Sequence, residues 1–143
     1  MELRSNESGM RTLADHMRIH GIGIDIVEVD RIASAIARHG EPFLARLFTS
    51  SERAYCAVQK RPALHYAARF AAKEAISKAL GTGIGGEAGW LDLEIVRDAL
   101  GAPKLVLDGA AAEFARTKGI SEIQISLSHA KDYAAANAVA VAH

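Results

Sequence analysis

Three side chains have the types that phosphate chemistry needs: Asp25, Glu74 and Lys78. Magnesium takes hard oxygen ligands and keeps several waters, so one or two carboxylates plus a substrate's phosphates make an ordinary site. Asp25 follows Gly21 and Gly23 on the same side of an alternating segment, where missing side chains let a ligand approach. Glu74 and Lys78 lie four residues apart on one side of a helical stretch, as do Arg69 and Lys73. Two readings follow. In one, Asp25 and Glu74 share a metal, Lys78 meets a phosphate, and Glu74 is an alternative proton acceptor. In the other, the acids are solvated and the helix carries ordinary i,i+4 ion pairs worth a few tenths of a kcal/mol. Spacing alone does not choose, and the second is the commoner outcome.

Other motifs narrow the chemistry by exclusion. GTGIGG at 81–86 follows a helical stretch, whereas a phosphate-cradling loop precedes one and ends in Lys-Ser/Thr. It reads as a helix cap and loop. GIGID at 21–25 lacks the third glycine of a dinucleotide fingerprint. Ser128 and His129 are strand neighbours that point to opposite faces, so they cannot pair as nucleophile and base. His129 is left as a phosphate contact or a structural residue. None of the six histidines has zinc-helix spacing, and Cys56 has no second thiol.

The elements that must position these residues fall in an irregular order. Residues 20–28 alternate, with Ile22, Ile24 and Ile26 on one face and Gly21, Gly23, Asp25 and Val27 on the other. This predicts a half-buried strand carrying an acid on its second face. Asp30 is placed to cap the next helix, striped by Ile32, Ala35 and Ile36 and ended by Gly40 with Pro42. Phe43, Leu44, Leu47 and Phe48 predict another short helix. Thr49, Ser50 or Ser51 then caps a turn bearing Glu52 and Tyr55.

Pro62 opens the longest helix, 63–80, rich in alanine and stopped by Gly81. Segments 90–98 and 104–108 read as a hairpin around Gly101, Ala102 and Pro103, and 110–118 as a short helix closed by Gly119. Segments 122–128 and 133–142 form a final strand pair. The class is α+β, a mainly antiparallel sheet packed with one long and several short helices.

The chain has 143 residues, half of them hydrophobic, which suits one compact domain with a real core. Residues 1–18 read as an N-terminal extension, disordered or with a later start at Met17, and 19–143 as the single domain. No apolar run reaches a membrane span and no secretory signal opens the chain. With one cysteine, these features predict a cytoplasmic protein. The net charge of zero argues against a general nucleic-acid binder. Yet residues 31–61 hold six bases against two acids, a local +4 that either attracts an acidic partner or is a solvated helix face.

Three motifs in this order resemble the holo-[acyl-carrier-protein] synthase family, the small trimeric class of 4′-phosphopantetheinyl transferases. They are GIGIDIVE at 21–28 with Asp30, Arg31 and Ile32; RFAAKEA at 69–75 running on to KALGTG at 78–83; and SLSH at 126–129. The likeness spans 20–142. It implies that Asp25 and Glu74 bind magnesium beside the coenzyme A pyrophosphate, with Lys78 on phosphate and able to protonate the leaving group. Arg69, Phe70, Gly81, Ser128 and His129 are implied to line the coenzyme A site, and Arg31 and Arg38 to meet the acidic helix of an apo-acyl carrier protein. The family's homotrimers have active sites between subunits, so Asp25 and Glu74 need not meet within one chain.

The reaction implied is attack of a carrier serine hydroxyl on the β-phosphate of coenzyme A, releasing adenosine 3′,5′-bisphosphate; a base must accept the serine proton, and Glu74, directly or through a metal-bound water, is the candidate. The extension before Met17 departs from the family pattern, Ala35 leaves carrier preference open, and Asn137 is a polar residue in an apolar terminal strand. Two other functions use the same residues: a magnesium phosphohydrolase of nucleotides or coenzyme A, and a non-catalytic trimeric binding module.

Overall fold

A computed structural model describes residues 16–143, so most of the expected extension lies outside the described residues. Strand β1 (Arg18–Glu28) leads into helices α1 (Val29–His39), α2 (Glu41–Leu47), α3 (Ser50–Ala57) and the long α4 (Pro62–Leu80). A 3-10 turn (Trp90–Asp92) opens the hairpin β2 (Leu93–Arg97) and β3 (Pro103–Leu107). Helix α5 (Gly109–Thr117) and strands β4 (Ile120–His129) and β5 (Tyr133–Ala142) complete the chain. Strands β1, β5 and β4 make one antiparallel sheet in that order, and β2 with β3 a second. The α+β class expected from the element order is the one observed.

The main sheet and α4 form the centre of the core. Register sets Gly21, Gly23, Asp25 and Val27 of β1 beside Ala140, Ala138, Ala136 and Ala134 of β5. On β4 the same rows continue with Ile123, Ile125, Leu127 and His129. Glycine and alanine make this face nearly flat, so an alanine-rich helix lies directly on it. Ala67, Ala68, Ala71, Ala72, Ala75 and Ala79 are all buried on α4. A helix apolar around most of its circumference belongs inside a core, which is what α4's alanines encode.

The other face of β1 corrects the simplest use of its alternation. Ile22, Ile24 and Ile26 are 72 %, 71 % and 65 % exposed, and the glycine side is the one turned inward. The cause is the approach of α4: a Cβ on Gly23 would overlap the Ala75 carbonyl oxygen and stand 3.0 Å from the Ala79 nitrogen.

Smaller differences have local causes. The first strand starts at Arg18 rather than 20, because Arg18 and Ile19 pair with Ala142 and Val141. Glu28, not Asp30, occupies the N-cap of α1, and Asp30 lies in its first turn. Trp90–Asp92 forms a 3-10 turn instead of strand. The hairpin loop is held by Asp98, whose Oδ1 accepts from the Leu100 and Ala102 amides at 2.9 Å each. Gly40 and Gly81 end α1 and α4 as expected, Gly81 at φ 89°.

Candidate active site

Asp25 stands on the inward face of β1, where the strand passes α4. Glu74 projects from the middle of α4. Together with Val27, Arg31, Phe43 and Phe70 they line one cavity of about 390 Å³. The two acids therefore meet within a single chain, which the resemblance did not require. Burial, then the charge of Asp25, holds the Glu74 carboxyl above the ordinary carboxylate range, and Lys78 partly offsets this. Burial and a neighbouring like charge both disfavour the ionised carboxyl, and a nearby positive charge relieves that cost.

Lys78 places a positive charge beside Asp25. Its Nζ donates to the Ile24 carbonyl at 2.9 Å and to Asp25 Oδ1 at 3.3 Å. It therefore pairs with Asp25 rather than with Glu74, its i−4 neighbour, contrary to the ordinary helix pairing. Half its side chain is exposed. Among the described residues no group of three or more His, Cys, Asp or Glu side chains is arranged to hold a metal. Two carboxylates alone suit a hard cation that fills its remaining positions with water and substrate oxygens.

The expected coenzyme A residues divide into separate places. Phe70 lines the cavity and stacks on Trp90, ring centres 5.1 Å apart. Arg69 is 2 % exposed, its guanidinium carbon 4.3 Å from the Tyr55 ring centre, and its Nε has no partner. His129 stands 5.9 Å from His65, ring to ring, and His65 the same distance from Tyr55. Burial lowers His65 first, followed by the charges of Arg69, His129 and Arg97. Gly81 caps α4, its amide donating to the Ser77 and Lys78 carbonyls at 3.1 Å.

Ser128 faces the opposite side of the sheet from His129, as strand geometry requires. It lies in a groove with Ile24, Ser126 and Asn137, apart from the acids of its own chain. In that groove Ser126 Oγ donates to Asn137 Oδ1 at 2.8 Å. Arg31 and Arg38 line a shallow groove on the outer side of α1 with Ser34 and Ala35.

Sequence reasoning missed several neighbours. Lys73 is fully buried on Glu52, not paired along the surface of α4. The unbroken alanine background of α4 was the available signal, since a lysine amid buried alanines must find a partner from another element. Tyr55, His65, Trp90 and Arg97 come from distant segments with no shared spacing. Cys56 is buried and its thiol is pushed up to about 11 by burial, so it is not a nucleophile. No helix among the described residues is long and apolar enough to cross a membrane.

Known proteins match this chain over most of its length. A family described as the 4′-phosphopantetheinyl transferase superfamily matches residues 21–138. The holo-[acyl-carrier-protein] synthase of Moorella thermoacetica is 50% identical over 117 residues, covering 82% of this chain and 90% of that protein. The crystal structure of the Neisseria meningitidis holo-[acyl-carrier-protein] synthase superposes with a TM-score of 0.81 at 37% identity, covering 86% of this chain and 98% of that one. The Helicobacter pylori holo-[acyl-carrier-protein] synthase in complex with coenzyme A superposes at 0.75 with 36% identity, covering 83% and 98%.

Proposed function

The chain belongs to the 4′-phosphopantetheinyl transferase superfamily, and we propose that its cavity of two acids is where 4′-phosphopantetheine leaves coenzyme A. The enzyme is of the holo-[acyl-carrier-protein] synthase kind, transferring 4′-phosphopantetheine from coenzyme A to an apo-acyl carrier protein. The observation that carries the site assignment is the meeting of Asp25 and Glu74 on one cavity, with Lys78 Nζ 3.3 Å from Asp25.

Asp25 and Glu74 fit magnesium, because each offers hard oxygens and their mutual repulsion is relieved by a cation. Bound there, magnesium supplies charge neutralisation for the pyrophosphate and for the leaving phosphate. Glu74, directly or through a water, takes the proton of the carrier serine as its oxygen bonds to the β-phosphorus. The phosphorus–oxygen bond to adenosine 3′,5′-bisphosphate breaks. Lys78, released from Asp25 and Ile24, donates a proton or a hydrogen bond to the departing oxygen. Positioning and charge do most of the work in such a transfer.

Arg69, Phe70, Gly81, Ser128 and His129 line the path of coenzyme A in this reading, and the partnerless Nε of buried Arg69 supports an anion nearby. Arg31 and Arg38, exposed on α1, receive the acidic face of the carrier. Ser128, on the outer face of the sheet, serves a neighbouring copy's site. The exposed isoleucines of β1 support a homotrimer, since contiguous apolar surface of this kind marks an interface. Residues 19–143 form the transferase domain, and lipid biosynthesis in the cytoplasm is the setting this implies.

The test is the intact mass of an apo-acyl carrier protein after incubation with coenzyme A and magnesium. The expected result is a gain of one phosphopantetheine unit, lost with Asp25→Ala and with Glu74→Gln. A folded Glu74→Gln enzyme with near-full turnover removes Glu74 as base. Phosphate release from coenzyme A without any carrier supports a phosphohydrolase instead.

A further inference from the structure

A buried ion pair with no role in the chemistry above is linked to the cavity through Trp90, which stacks on Phe70. Lys73 and Glu52 side chains are both 0% exposed, with Nζ 2.8 Å from Oε1. Glu52 Oε1 also accepts from the Thr49 amide at 2.8 Å, and Oε2 from the Ile95 amide at 2.9 Å. Lys73 gives a second hydrogen bond to the Trp90 carbonyl at 2.8 Å, and its Nζ stands 5.5 Å from the Phe48 ring centre. Helix α3, helix α4, the turn at Trp90 and strand β2 are thus tied at one point. Burial pulls Lys73 below the ordinary lysine range and Glu52 pulls it back.

Apolar side chains of equal volume fill a core at least as well as a buried ion pair. What they lack is direction. Trp90, whose carbonyl Lys73 holds, lays its indole against Phe70 at 26° between ring planes. Phe70 in turn lines the cavity with Glu74. We propose that the Glu52–Lys73 pair is a positioning device: by fixing Trp90 it holds the Phe70 wall of the cavity in place for coenzyme A. The inference rests on the coenzyme A reading of that cavity. Neither residue touches the ligand. Both act through Trp90.

Trp90 is the chain's one tryptophan, so its fluorescence reports on this relay. Glu52→Gln combined with Lys73→Met removes both charges at nearly constant volume. Either single change would instead strand a buried group. In the double variant the KM for coenzyme A is expected to rise about two- to twelve-fold, the span of a lost aromatic stack. The KM for carrier stays within about two-fold, because the groove on α1 is untouched, and acrylamide quenches Trp90 more strongly.

Trp90→Leu breaks the relay downstream with both charges in place, and is expected to give the same rise. If the wild-type chain transfers phosphopantetheine and Trp90→Leu keeps its coenzyme A KM, the positioning role is overturned, whether or not the double variant folds. A folded double variant with unchanged KM and quenching overturns it equally. A wild-type chain that modifies no carrier instead defeats the coenzyme A reading on which the inference stands.

Discussion

Replacing Gly23 by alanine tests whether the close approach of strand and helix sets the site. An alanine Cβ there would overlap the Ala75 carbonyl oxygen and lie 2.9 Å from the Ala75 carbonyl carbon and 3.0 Å from the Ala79 nitrogen. Ordinary carbon contacts are about 3.5–4.0 Å. The obstructing atoms are helix backbone and cannot swing aside, so β1 and α4 must part by roughly 1–1.5 Å to clear the Ala75 carbonyl oxygen. Overpacking of this kind costs about 1–3 kcal/mol. Against it stands a gain of about 0.4–1 kcal/mol from restricting the unfolded chain. The clash wins by about 1 kcal/mol, lowering Tm by about 3–6 °C for a domain of this size.

The same displacement separates Asp25, two residues along the strand, from Glu74 on the helix. A misplacement of about 1 Å at reacting groups costs on the order of 10²-fold, so kcat/KM should fall by that factor. The assay pairs a melting curve with carrier modification by intact mass. Gly86→Ala is the control, because its Cβ meets nothing within 4 Å and φ lies outside the left-handed region. It should leave both readouts unchanged within about 0.5 kcal/mol. A Gly23→Ala enzyme as stable and as active as its parent refutes the claim that this contact sets the distance between the two acids.

Three further outcomes are expected. Ile24→Lys puts a charge in the middle of the exposed isoleucines, so sedimentation should shift from trimer to monomer while the chain's own fold persists; an unchanged sedimentation coefficient contradicts the interface. Reversing Arg38 to Glu, which lines only the groove on α1, should raise the KM for carrier several-fold at low salt, converging with wild type as salt rises, with the coenzyme A KM unmoved. His65 carries a pH signature: burial, then Arg69, His129 and Arg97, hold it below the usual imidazole value of 6.5. The unfolded chain therefore binds the extra proton first as pH falls, and stability drops from about pH 6.5 down to the folded-state value. His65→Phe should flatten that part of the Tm–pH curve.

How far the site could be read from the sequence depends on whether each signal was local. Helix ends at Gly40 and Gly81, the capping box of Thr49 and Glu52, and the long helix all follow from a few adjacent residues, and the structure has them. Asp25 and Glu74 were legible as candidates by type, but their meeting depends on β1 lying against α4, which no spacing states. Glu52 and Lys73 were visible only as a cap and a surface pair, because their link crosses 21 residues into the core. Tyr55, His65, Arg97 and His129 gather from four elements, so nothing in their intervals announces them.

The isoleucine stripe makes the general point. Alternation says that a strand has two unlike faces; it does not say which face its own chain covers. Here the bulky face is exposed and the bare one is buried, because only glycine admits a helix backbone so near. That choice has a functional consequence. Turning the isoleucines inward would push α4 away by a side chain's depth and carry Glu74 out of reach of Asp25. Turning them outward brings the two acids to one cavity and leaves an apolar strip that needs a cover. On the proposed reading, site and interface are two faces of one strand, so a single substitution at Gly23 should disturb the first, and one at Ile24 the second, through separate physical routes.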